Sequence, residues 1–182
     1  LKTKDGSIYY FAKDNLEFQR LEKQFNEKKQ WVDGVPKLKT LSQIFKERGG
    51  YEEVGSIKGS EMVGWEYEGP YDNFEAQKEF GGYPHVNDDL KEKRINSAEN
   101  HKVIDPGKDA IGNDIVVAGE GTGIVHMAPG CGDIDHSVGK NLGLINIAPL
   151  NDESRFIEKF GWLTGKLATD KETTKEIIND LK

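Results

Sequence analysis

Cysteine, long apolar runs and positive charge are all scarce in this chain, and each scarcity removes a class of protein. Among 182 residues there is one cysteine, Cys131. No internal disulfide can form, so a reducing, cytoplasmic setting is expected rather than a secreted scaffold held by disulfides. No apolar stretch approaches the roughly 20 residues of a membrane-spanning helix, mean hydropathy is −0.69, and no membrane partner is expected. The opening Leu1-Lys2-Thr3-Lys4-Asp5 lacks the apolar middle of a secretory signal. The 25 Lys and Arg against 32 Asp and Glu give a net charge of −7. That balance argues against a general nucleic-acid binder and leaves only local patches to meet such a partner. Internal repeats and low-complexity tracts are absent as well.

What remains is a chain long enough for one domain with its own core. Ile8-Tyr9-Tyr10-Phe11-Ala12 has strand composition, and Asp14-Asn15 offers an N-cap to a helix with Leu16, Phe18, Leu21 and Phe25 as its apolar positions. After Gly34 and Pro36 a short helix is predicted over residues 38–48, capped near Thr40 or Ser42 and closed by Gly49-Gly50. Residues 51–71 read as strand, short helix, strand. Residues 72–100 carry Gly81-Gly82, Pro84 and the charge run Lys91-Glu92-Lys93-Arg94, and read as a long surface loop. Glu92, Asp88 and Asp89 dilute the basic residues of that run, which favours a solvated face over a phosphate contact. Strands are expected at 102–104, 114–117, 124–125 and 144–147. The tail, residues 170–182, reads as an amphipathic helix with Ile177, Ile178 and Leu181 on one side and Thr169 or Asp170 as its cap.

The densest chemistry lies in Gly121-Thr122-Gly123-Ile124-Val125-His126-Met127-Ala128-Pro129-Gly130-Cys131-Gly132-Asp133-Ile134-Asp135-His136. A strand, a loop and a helix start from Asp133 through Lys140 would place His126 and Asp135 on one rim. Four chemistries suit these residue types. A phosphate cradle is disfavoured because Gly119, Gly121 and Gly123 complete no dinucleotide fingerprint and no P-loop lysine follows. His126, Cys131, Asp133, Asp135 and His136 are all possible metal ligands, but their spacing matches no compact ligand pair. Cys131 beside His126 or His136 could form a thiol–imidazole pair, although no other thiol-enzyme motif accompanies it. Lastly, Asp135 could pair with a substrate cation while His126 lines the pocket and the glycines let a ligand near the backbone. Against that stands the simpler reading that Asp133 and Asp135 only cap a helix and favour its dipole.

The stretch Gly121 to Gly132, with Asp135, Val138-Gly139-Lys140 and Gly143-Leu144 behind it, resembles the editing domain of isoleucyl-tRNA synthetase. Two further blocks support the resemblance. One is Lys58-Gly59-Ser60-Glu61-Met62-Val63-Gly64 with Tyr67-Glu68-Gly69-Pro70-Tyr71, and the other is Asp152-Glu153 to Phe156 with Phe160-Gly161-Trp162-Leu163-Thr164-Gly165. His126 resembles the isoleucyl type, where the valyl editing domain has lysine, although a valyl-type domain is the neighbouring alternative.

The resemblance implies an α+β fold, a strand-rich, barrel-like sheet with flanking helices, in one domain over residues 1–182. It implies post-transfer editing: hydrolysis of valine mischarged onto tRNA for isoleucine. Asp135 would bind the ammonium and His126 would exclude the larger cognate side chain, with Gly121, Thr122 and Gly123 forming a wall of the substrate site. The acceptor end of that tRNA, the mischarged valine and the rest of the parent synthetase are the implied partners. No cofactor is implied for the editing domain itself; ATP, and zinc as a further candidate, belong to other domains of the parent ligase. The family's threonine-rich peptide ending in Pro-Trp-Thr does not occur here, so a fragment lacking an upstream segment is expected. The competing classes are a non-catalytic module that binds an amino acid or an RNA end, and a metal-dependent hydrolase.

Overall fold

The computed structural model describes residues 1–17, 39–117 and 122–182. Most of the first expected helix, including Phe18, Leu21 and Phe25, lies outside the described residues, as do Gly119 and Gly121. The chain divides into two compact units, Leu1–Glu61 with Pro106–His126, and Met62–Asp105 with Met127–Lys182.

In the first unit, β1 (Lys2–Thr3) pairs antiparallel with β2 (Tyr51–Glu52). Lys2 also bridges Ile8 across a turn in which the Thr3 amide donates to the Ser7 carbonyl at 3.0 Å. Of the strand expected at residues 8–12, only Ile8 is paired in this way. Helix α1 (Leu41–Glu47) lies within the predicted span and starts after Thr40, one of its two candidate caps. Thr40 Oγ1 accepts from the Gln43 amide at 3.1 Å and Gln43 Oε1 accepts from the Thr40 amide at 3.0 Å, a capping box that satisfies two amides otherwise left bare. Gly49 and Gly50 end the helix region with φ of +106° and +93°. Phe45, on the inner face of α1, meets the rings of Tyr9, Phe11 and Tyr51 at centroid distances of 5.0, 6.1 and 5.9 Å. The buried Ser42 hydroxyl hydrogen-bonds the Tyr51 hydroxyl at 3.2 Å.

The second unit holds the larger core: Phe74, Ala76, Phe160 and Leu163, with Tyr71, Tyr83, Ile147, Phe156, Ile157 and Ile177 packed against them. Residues 72–100 correct the expectation of a long loop. After the single-turn helix α2 (Gly59–Met62), they carry α3 (Glu75–Lys78) and α4 (Asp88–Glu92), and they deliver Phe74 and Ala76 to the core. Helices of four and five residues are too short to display a 3.6-residue period, so only the turn residues between them were conspicuous in the sequence. Tyr83 bridges in parallel to Ile147, its amide donating to the Asn146 carbonyl at 3.0 Å. Residues 64–67 run beside 101–103, where the Val103 amide donates to the Trp65 carbonyl and the Gly64 amide to the Val103 carbonyl, both at 2.8 Å.

Helix α5 (Asp133–Leu142) is one turn-fraction longer than predicted and closes on Gly143 at φ +64°. Helix α6 (Lys171–Asp180) is capped by Asp170, whose carboxylate accepts from the Glu172 amide at 3.1 Å. The expected apolar side of α6 divides: Ile177 packs against the core, whereas Ile178 and Leu181 are exposed. The ion pairs Lys159–Glu79 and Lys166–Glu176 tie residue 79 to the segment at 159 and residue 166 to α6.

The architecture is thus mixed α and β, and its one named sheet among the described residues has two strands and does not close. The strand expected at Ile124-Val125 is not formed. Thr122 Oγ1 donates to the Ile124 carbonyl at 2.9 Å and accepts from the Ile124 amide at 3.4 Å. These local bonds take up the backbone groups that a ladder would need. Among the described residues no helix is long and apolar enough to cross a membrane.

Candidate functional site

Asp135 sits in the first turn of α5, where its negative charge faces the positive end of the helix dipole. Its side chain does not cap that helix. Gly132 is the N-cap and has no side chain, and Asp135 Oδ2 instead accepts from the Ala128 amide, seven residues back, at 2.9 Å. Among the described residues Asp135 Oδ1 has no donor, so one oxygen of the half-buried carboxylate is left unbonded. The turn before the helix is tied down twice more. The Cys131 amide donates to the Ala128 carbonyl at 2.9 Å, and His136 Nδ1 donates to the Pro129 carbonyl at 3.1 Å. His136 therefore holds the turn.

Thr122, Gly123 and His126 belong to the first unit. The Thr122 carbonyl accepts from the Ala12 amide at 2.6 Å, and a side chain at Gly123, where φ is +74°, would collide with Ala12. His126 is exposed at the end of this segment. Gly121 lies outside the described residues.

Cys131 is exposed, yet local desolvation, and secondarily the Asp135 charge, push its thiol above the ordinary cysteine value. A thiol held up in this way carries less thiolate at neutral pH and is a poorer nucleophile. Removing the charge with Asp135→Asn is expected to lower the thiol pKa and to move the pH midpoint of iodoacetamide alkylation downward. An unmoved midpoint would show that the carboxylate does not act on the sulfur. Among the described residues no three His, Cys, Asp or Glu side chains gather as a metal-binding group.

Comparison with known proteins gives this site its context. The chain is 33% identical over 133 residues, 72% of its length, to the isoleucine–tRNA ligase of Sulfolobus acidocaldarius. It is 34% identical over 133 residues, again 72%, to that of Saccharolobus solfataricus. The chain is related to a segment of the isoleucyl-tRNA synthetases. The match extends to 92% of the chain, at 29% identity, in the isoleucine–tRNA ligase of Methanocaldococcus jannaschii. The chain spans about a tenth of the length of the first two ligases, 10% and 11%, and 14% of the third. No protein-family model matches it, and no solved structure does.

This synthetase segment holds an imidazole–carboxylate pair that no sequence motif marks. His101 Nε2 donates to Asp72 Oδ1 at 2.7 Å, and Tyr67 stacks on the imidazole at a centroid distance of 5.2 Å. The Gly69 amide donates to Asp72 Oδ2 at 2.8 Å, so both oxygens of this carboxylate are engaged, unlike those of Asp135. The pair ties residues 67–72 to the neighbouring segment at 101. Its members are 29 residues apart, and no local pattern marks them.

Proposed function

We propose that this chain is the post-transfer editing segment of an isoleucyl-tRNA synthetase and hydrolyses the ester between valine and tRNA for isoleucine. The observation that carries the reading is Asp135: one carboxylate oxygen is fixed by the Ala128 amide and the other is available to a cation. The α-ammonium of an esterified amino acid is such a cation, and pairing it with a held carboxylate is a charge-assisted hydrogen bond. Fixing the ammonium also fixes the ester carbonyl beside it. A water then attacks the carbonyl carbon, the bond to the ribose oxygen breaks, and valine and free tRNA leave. Positioning supplies much of the rate in this scheme, and Asp135 works as a charged anchor rather than as a proton carrier.

The need for such a site is physical. Discrimination between isoleucine and valine is itself the standard illustration that one methylene is worth only about 1–3 kcal/mol of selectivity, which calls for a second, hydrolytic sieve. In this reading Gly121, Thr122 and Gly123 form part of the substrate site, and His126 rejects the larger cognate side chain. The acceptor end of the tRNA enters from the rest of the synthetase, in the cytoplasm. The hydrolysis uses no cofactor, and ATP, with zinc as a further candidate, serves other domains. A strand-rich, barrel-like editing fold is part of the same proposal.

The test is deacylation by the synthetase carrying this segment, assayed on valyl- and isoleucyl-tRNA. His126→Ala is expected to leave valyl-tRNA hydrolysis in place and to add hydrolysis of isoleucyl-tRNA, by about ten- to two-hundred-fold over the parent for one methylene of lost discrimination. If isoleucyl-tRNA stays intact, the size-filter role of His126 is wrong.

A further inference from the structure

We propose that Gly139 and His136 are positioning residues for Asp135, acting through Pro129. The inference rests on the editing reading for its functional consequence, and on packing for its structural part. Asp135 is held by a backbone amide, that of Ala128, so its placement depends on where the turn at 128–131 lies. That turn is gripped from two sides. From α5, the bare Cα of Gly139 lies against the Pro129 ring, and a Cβ there would stand 2.7 Å from Pro129 Cβ and 2.9 Å from Cγ. From the segment at 146–147, the backbone comes so close to Gly130 that a Cβ would collide with the Ile147 carbonyl oxygen. His136, one turn of α5 before Gly139, donates from Nδ1 to the Pro129 carbonyl. Gly139 is buried, and the Leu144 amide donates to its carbonyl at 2.8 Å, so the helix cannot easily retreat at that point.

A methyl group at position 139 therefore has to displace Pro129 rather than the helix. Ala128 precedes Pro129 directly, and its amide would be carried off the Asp135 carboxylate. The helix that bears the anchor also bears the spacer that sets the anchor's partner. Both lie on α5, Asp135 in its first turn and Gly139 four residues on, which places them on one face.

The experiment measures hydrogen exchange at the Ala128 amide by fragmentation mass spectrometry, alongside deacylation and aminoacylation, in the synthetase carrying this segment. In Gly139→Ala the Ala128 amide is expected to exchange about tenfold faster, the scale of one lost hydrogen bond. Valyl-tRNA deacylation should fall with it while aminoacylation is kept. Adding Pro129→Gly removes the ring that the methyl strikes and should restore both protection and deacylation. Unchanged exchange in Gly139→Ala overturns the positioning role whatever deacylation does. Faster exchange with full deacylation upholds the positioning of the carboxylate and overturns the editing role of Asp135 instead. Should Gly139→Ala fail to fold, His136→Ala removes only one exposed hydrogen bond; a smaller rise in Ala128 exchange supports the inference and no rise overturns it.

Discussion

Asp135→Ala is expected to bring valyl-tRNA deacylation down by between about 30-fold and 4,000-fold while aminoacylation by the same synthetase is unaffected. The range follows from removing one member of a hydrogen-bonded charge pair, about 2–5 kcal/mol, at about 1.4 kcal/mol per decade. Alanine removes both functions of the side chain: the acceptor for the Ala128 amide and the charge that would meet the ammonium. Asp135→Asn separates them. Asparagine can still accept from Ala128 through its carbonyl oxygen, so the turn keeps its shape while the anionic charge is gone. If charge is what matters, the asparagine variant falls nearly as far as alanine, and if only the shape of the turn matters it retains most of the activity. Deacylation of preformed valyl-tRNA under single-turnover conditions distinguishes these results. Full activity in Asp135→Ala would remove the aspartate from the mechanism.

Phe160→Ala should produce the largest loss of stability, about 3–5 kcal/mol, the usual cost of emptying a buried phenylalanine site. Phe160 is 4% exposed and lies among Phe74, Ala76 and Leu163. Its ring faces those of Tyr83 and Phe156 at centroid distances of 6.2 and 6.3 Å. Relaxation cannot readily fill the space. On one side Gly161, at φ +53°, already lies so close to Phe74 that a Cβ would stand 2.6 Å from the ring. On the other, the Ala76 amide is bonded to the Lys159 carbonyl at 3.1 Å. Since whole domains are stable by only about 5–15 kcal/mol, a loss of this size removes much of the margin. Urea unfolding followed by tryptophan fluorescence should show it through Trp162, which neighbours the cavity in sequence. A midpoint shift equivalent to under about 1 kcal/mol would show that the cluster is not the main source of stability in its unit.

Several elements were legible because their signals are local. Thr40 or Ser42 as cap, and Gly49-Gly50 at the far end, bracket α1. Asp170 before an amphipathic run does the same for α6, and the helix after Gly132 was visible from its acidic start. What the sequence hid depends on partners distant along the chain. Phe74 and Ala76 look like members of a polar loop until Phe160 and Leu163 are seen beside them. The strands expected over residues 8–12, 102–104, 114–117 and 144–147 each come down to a single bridge, at Ile8, Lys102, Asp114 and Ile147, rather than a ladder. At the candidate site Asp135 is conspicuous in the sequence, but its partner is a main-chain amide, which no residue type advertises. His136 reads from the sequence as a candidate ligand or base because histidine in such a turn suggests chemistry, whereas its partner is the Pro129 carbonyl. The two glycines at 130 and 139 were noted only as part of a resemblance, and only the close approach of their neighbours shows what they make room for.

The side chain of Thr122 has a further effect, on self-association. Ile124 and Val125 are 47% and 53% exposed, and two adjacent β-branched residues at a surface are ordinarily an invitation for a second chain to add a strand. Recruitment of that kind begins with unsatisfied main-chain donors and acceptors. Because the Thr122 hydroxyl engages both the amide and the carbonyl of Ile124, these two main-chain groups are taken up within the segment, and an incoming strand would have to displace the threonine to pair with Ile124.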